Sequence, residues 1–233
     1  MKIERSLQSA LFLLATCLAF ASHVWAQQEP ETPAIRKDQH DGSALEVVEQ
    51  NRRSEILAVP DTDWNIYTQV RLDRATVEFR KNWVRDQRQR SGVTIREDDE
   101  KRIKSSLADL FEEVLTEELV SEGGYAMADE NAADVMHFIP HIVNLDIIAP
   151  DRARDHIGSA FTDSQGRMTV EMEIRDSVSG SLLATTRHYE EDPHKGYMEW
   201  TTSGTNRRAA KLMLMRWASG IRERLDESRG ISK

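Results

Sequence analysis

The stretch that most restricts the fold runs from Met168 to Tyr189. Met168, Val170, Met172 and Ile174 alternate with Thr169, Glu171, Glu173 and Arg175, the period of a strand with one apolar face. Asp176-Ser177-Val178-Ser179-Gly180 has the composition of a turn, and Leu182 to Tyr189 returns. The pattern predicts an antiparallel hairpin with one solvated face.

Two amphipathic helices are available to cover its other face. The first is predicted over Glu97 to Ser121. Ile103, Leu107, Leu110, Phe111, Val114 and Leu115 recur at three- and four-residue spacings, and Gly123-Gly124 stops it. Glu97, Asp98, Asp99 and Glu100 occupy its first turn, where the helix dipole favours negative charge. That role is expected of the acidic run before any metal binding. The second helix is predicted over Asn206 to Glu227, with Ala210, Met213, Leu214, Trp217, Ile221 and Leu225 on its buried stripe and Gly230 closing it.

Further strands precede the hairpin. Ile66, Thr68, Val70 and Leu72 alternate with Tyr67, Gln69 and Arg71, and Ala75, Val77 and Phe79 continue after a slip of one residue. A bulge at Asp73 accounts for the slip. Tyr125 to Met127 reads as a short strand. Val135 to Ile148 is apolar on both parities, as a central strand covered on two sides would be. Pro140 interrupts it and requires an edge position or a bulge. The order of strand, long helix, strands, hairpin and helix predicts an α+β fold, a two-layer mixed sheet under two long helices.

The amino terminus gives an address. Lys2 and Arg5 precede an apolar run from Ala10 to Ala21, and Val24 and Ala26 fit a signal-peptidase pocket. Residues 1–26 are therefore read as a signal peptide, removed before Gln27. The run is short of the about 20 residues that span a bilayer, so no transmembrane span remains after cleavage. Leu14-Ala15-Thr16-Cys17 also approximates a lipobox, which would make Cys17 a lipidated first residue; Thr16 departs from that pattern. The expected location is the periplasm, with an outer-membrane lipoprotein as the alternative. Residues 27–58, with Pro30 and Pro33, read as a flexible leader; Ser43 and Glu46 match a capping box for a short helix. Residues 59–230 form a single α/β domain.

Charge and cysteine content exclude several functions. Forty acidic residues against 31 basic ones give a net charge of −9, unsuited to nucleic acid. One cysteine rules out an internal disulfide and a multi-cysteine zinc site. His137 and His141 have the spacing of metal ligands on a helix. On a strand, at about 3.3 Å per residue, they stand roughly 13 Å apart, too far for one ion. His156, His188 and His194 lie near Asp155, Glu190, Glu191 and Asp192, and a His–carboxylate pair there would be a hydrolase's base. No nucleophile elbow, phosphate loop, metalloprotease helix or dinucleotide fingerprint accompanies them. No cofactor, metal or catalytic residue is expected. Arg80, Lys81, Arg85, Arg88 and Arg90, with Trp83, reverse the sign of the chain locally and form a candidate contact face for an anionic partner, the alternative being a solvated loop with Trp83 tucked into the core.

Five stretches carry a family resemblance. These are Val59-Pro60, Tyr67 to Val70, Val77 to Trp83, Ile174 to Ala184 with its aspartate-and-glycine turn, and Trp200 to Trp217. In that order they resemble the bacterial envelope proteins catalogued as domain of unknown function three-three-one-three, many of them assigned as lipoproteins, over Val59 to Leu225. The resemblance implies an envelope protein and brings no activity or catalytic residue. The leading expectation is a non-enzymatic interaction or accessory protein whose partner is an envelope protein or outer-membrane component. A small-ligand carrier, with its pocket between helix and sheet, and a hydrolase using the His156–His194 loops are the alternatives.

Overall fold

The computed structural model describes residues 45–91, 94–148, 161–162, 166–193, 199–200 and 203–231. The strands are β1 (Glu46–Gln50), β2 (Ser54–Ala58), β3 (Gln69–Leu72), β4 (Thr76–Phe79), β5 (Ala126–Met127), β6 (Val135–Ile147), β7 (Phe161–Thr162), β8 (Gly166–Asp176), β9 (Leu182–Glu191) and β10 (Glu199–Trp200). The helices are α1 (Trp83–Ser91), α2 (Glu97–Glu117) and α3 (Ser203–Ser228). The signal peptide, Cys17 and most of the leader lie outside the described residues. Those described belong to one compact unit, Ala34–Lys233.

Eight strands form a mixed sheet in the order β1-β2-β9-β8-β6-β3-β5, with β4 also on β6. β3 and β4 run parallel to β6 and β5 runs parallel to β3; the remaining pairs are antiparallel. β7 and β10 pair separately. The hairpin β8–β9 is the middle of the sheet. Met168, Val170, Met172 and Ile174 are fully buried on the face that α2 and α3 cover. At the turn the Asp176 carboxylate accepts from the Val178 and Ser179 N–H groups and the Ser179 hydroxyl, and Gly180 takes the left-handed φ of 74°. The opposite face is polar, as expected, but less open: Thr169 and Glu171 are each only 4% exposed.

Details of β6 explain its unusual sequence. Leu72 pairs Phe138 and Thr76 pairs His141, so Asp73 to Ala75 stand opposite only Ile139 and Pro140. That extra residue is the bulge the phase slip implied. The Phe138 carbonyl accepts from Asp73 N–H, and Pro140, two residues on, faces the same side. The proline's missing donor therefore falls where the neighbouring strand is interrupted, which admits it to a central position. A second bulge follows at Asn144, with φ 54°. It returns Leu145 to the helix-covered face used by Phe138 and Ile142. The apolar run on both parities thus has two sources: the change of phase brings Leu145 and Ile147 to the helix side, whereas Val135, Ile139 and Val143 lie on the other face; both long helices lie on one face.

Three segments differ from the sequence reading. Glu46–Ala58, read as the end of a leader with a short helix at Ser43 and Glu46, forms the hairpin β1–β2, which extends the sheet beyond β9. Ile66 lies in a single 3₁₀ turn, and the strand starts at Gln69. Residues 83–91, read as a basic stretch between elements, are helical.

Candidate functional site

α2 and α3 lie side by side and point the same way. Glu113 meets Arg207 at 3.0 Å and Lys211 at 2.9 Å, and further along Glu118 accepts from Arg222 at 2.8 Å. Near the helix starts α3 presents Ala209 and Ala210, which have no atoms beyond Cβ, towards Ile103, Leu107 and Leu110 of α2. Small residues facing a full apolar stripe leave a gap. Leu145 and Ile147 of β6, Met168 of β8 and Met213 of α3 complete its apolar wall. The cleft encloses about 350 Å³ and is partly open. Its size is at the lower end of small-molecule sites, which span about 300–1,000 Å³.

The polar part of the lining comes from both helices. α2 contributes Arg102 and Ser106; α3 contributes Ser203, Asn206 and Arg207. Asn206 donates from Nδ2 to the Ile148 carbonyl at 2.9 Å, fixing the start of α3 to the end of β6. Arg102 pairs with Asp99 at 3.1 Å, within its own helix. Arg207 shares Glu113 with Lys211, and these cations hold the Glu113 carboxyl below its ordinary range, the hydrogen bond from Lys211 contributing most. The guanidinium groups are about half exposed or more, so solvent screens their pairs.

α1 supports the floor of this cleft. Trp83 is 1% exposed, stacks on Phe79 with ring centroids 3.9 Å apart and donates from Nε1 to the Ile147 carbonyl at 2.7 Å. Gln87, one turn further, donates to the same oxygen at 3.0 Å. Arg80 is held between Asp86 at 2.6 Å and Asp146 at 2.8 Å. Of the predicted contact residues, Arg80 and Trp83 are therefore turned inward, whereas Lys81, Arg85 and Arg88 are exposed. The Arg90 side chain lies outside the described residues.

The histidines do not converge. His137 and His141 lie on the face away from the helices, each with its own partner: Asp73 at 2.8 Å and the Thr76 hydroxyl at 2.7 Å. His188 lies on the helix side, beside Ser54 in register, and burial lowers its pKa. His156 and His194 are outside the described residues. Among those described, no three His, Cys, Asp or Glu side chains gather to hold a metal. The carboxylates with raised pKa are separated as well. Burial pushes Glu171 up against the pull of Arg187 on one face, and burial pushes Glu190 up against Arg216 on the other.

The cleft lies between helix and sheet, where the sequence reading expected a carrier's pocket, but that reading named no residue as its lining. The signal it left unused was Ala209-Ala210 at the start of an otherwise bulky stripe.

A family model described as "protein of unknown function (DUF3313)" matches residues 41–220. No curated protein matches the chain. Solved structures superpose loosely. A PelC dodecamer from Paraburkholderia phytofirmans is 11% identical, with 71% of this chain and 96% of that one covered and a TM-score of 0.32. A minor lipoprotein from Acinetobacter baumannii is also 11% identical, with 70% and 96% covered and a TM-score of 0.31.

Proposed function

From the premise that this chain belongs to the DUF3313 family, whose function is not assigned, we propose that it is an exported, non-enzymatic binding protein of the bacterial envelope that holds a small apolar molecule between α2 and α3. The cleft carries this reading. It is lined mainly by Ile, Leu, Met and Ala side chains with a few polar groups on one part, the composition of a binding pocket. Removing an apolar chain from water supplies about 0.8 kcal/mol per methylene, enough for measurable affinity without any catalytic group. Support for export comes from the basic, apolar and small-residue order of Met1 to Ala26. No helix among the described residues is long and apolar enough to cross a membrane.

The test is displacement of a fluorescent apolar probe from the purified protein by dodecan-1-ol. Dodecan-1-ol is expected to displace it, and Ala210→Phe, which fills the gap from α3, is expected to abolish probe binding with unchanged circular dichroism. Equal probe binding by wild type and a folded Ala210→Phe protein would refute the cleft as the site.

A further inference from the structure

The walls of the cleft differ enough in chemistry to specify a class of ligand. Leu107, Leu110, Leu145 and Met168 offer no hydrogen bond, so the part of the ligand they enclose must be apolar. A volume of about 350 Å³ accommodates one chain and no bulky ring system beside it. Among the described residues the two ionisable ones in the lining, Arg102 and Arg207, are both cations, in a protein whose net charge is −9. Their present carboxylate partners, Asp99 and Glu113, do not line the cleft. Glu113 already serves a second cation, Lys211, so Arg207 can turn to a ligand without leaving that carboxylate unpaired. Guanidinium groups match carboxylate and phosphate oxygens in a planar fork, which gives an anionic head a defined place and a cationic head none.

Resting on the reading of the cleft as a binding site, we infer that its ligand is a single-chain anionic amphiphile, an acyl or alkyl chain in the apolar gap with a carboxylate or phosphate head between Arg102 and Arg207. The experiment compares dodecanoate, dodecyl phosphate, dodecan-1-ol and dodecylamine as displacers of the same probe, at fixed pH and below micelle formation. At least one of the two anions is expected to bind about tenfold tighter than the alcohol, and the amine more weakly than the alcohol. Whether carboxylate or phosphate wins identifies the head. The double variant Arg102→Gln, Arg207→Gln is expected to lose that preference while still binding dodecan-1-ol. Alcohol and anions binding equally, the amine binding best, or a double variant that keeps its preference would overturn this inference and leave the cleft an apolar site. If no chain displaces the probe, the reading beneath it fails as well.

Discussion

Trp83 ties a basic segment to an apolar pocket. Its indole is stacked on Phe79 and donates to the carbonyl of Ile147, whose side chain is part of the cleft wall. An aromatic side chain buried this fully contributes through area and through its one polar atom, and the two can be separated by substitution. Trp83→Phe keeps most of the stack and leaves the Ile147 carbonyl with Gln87 alone, so it should cost about 1 kcal/mol. Trp83→Ala also opens a cavity and should cost about 3–5 kcal/mol. Urea unfolding measures both, and probe affinity should fall with Trp83→Ala because the end of β6 loses its prop. The exposed neighbours behave differently: Arg85→Glu with Arg88→Glu should shift stability by no more than about 0.5 kcal/mol per site. Equal losses for the tryptophan and arginine variants would contradict this division between an inward and an outward side of α1.

The second bulge of β6 is the element on which the cleft floor depends. Asn144, in the left-handed region, turns Leu145 and Ile147 toward the helices, and Gly166 of β8 packs against the same stretch at φ 151°. A Cβ added to Gly166 would stand 2.5 Å from the Asp146 carbonyl oxygen, backbone that cannot move aside cheaply. Gly166→Ala should therefore destabilise by about 1–3 kcal/mol, whereas Asn144→Gly, which relieves a positive φ, should cost little. A thermal melt of the two variants decides this, and a neutral Gly166→Ala would mean that the bulge does not hold the register. Elements of this kind also mark where sequence reasoning stops. The hairpin β8–β9 was legible because period, turn residues and length agree from Met168 to Tyr189. α1 was not, because its polar sequence is anchored by Trp83 and Gln87, four residues apart, with charged residues around them. β1 escaped notice because Val47 and Val48 are about 60% exposed, leaving no alternation to read, and a chance capping-box match pointed to a helix. A pocket between helix and sheet could be expected, but its lining was illegible for another reason: the wall residues come from two helices and two strands that only the crossover brings together.

Over the whole molecule, the perturbed ionisable groups pull the response to pH in opposite directions. Burial lowers the pKa of His188; nearby Glu49 opposes the shift and Arg224 adds to it. The unfolded chain then accepts a proton that the folded chain resists, so stability tied to His188 is full above about pH 6.5 and is lost as the pH falls from there through the lowered folded value. Glu171 and Glu190, raised by burial against Arg187 and Arg216, act with the other sign. Their contribution is full below about pH 4.3 and is lost as the pH rises through their elevated values. Asp176 does not enter this window: burial raises it, but the hydrogen bonds from Ser179, Tyr67 and Val178 together outweigh that, and its lowered value acts only at more acid pH. His188 sits where β2, β9 and α3 meet, and its Nε2 finds no hydrogen-bond partner among the described residues. Replacing it by leucine therefore removes a titration without removing a bond. Urea midpoints at about pH 7.5 and about pH 5.5 should show His188→Leu gaining stability on acidification relative to wild type, since the glutamates then act unopposed. Midpoints that move in parallel for the two proteins would mean that His188 takes up its proton equally in both states, and that the junction of β2, β9 and α3 is wetter than its packing indicates.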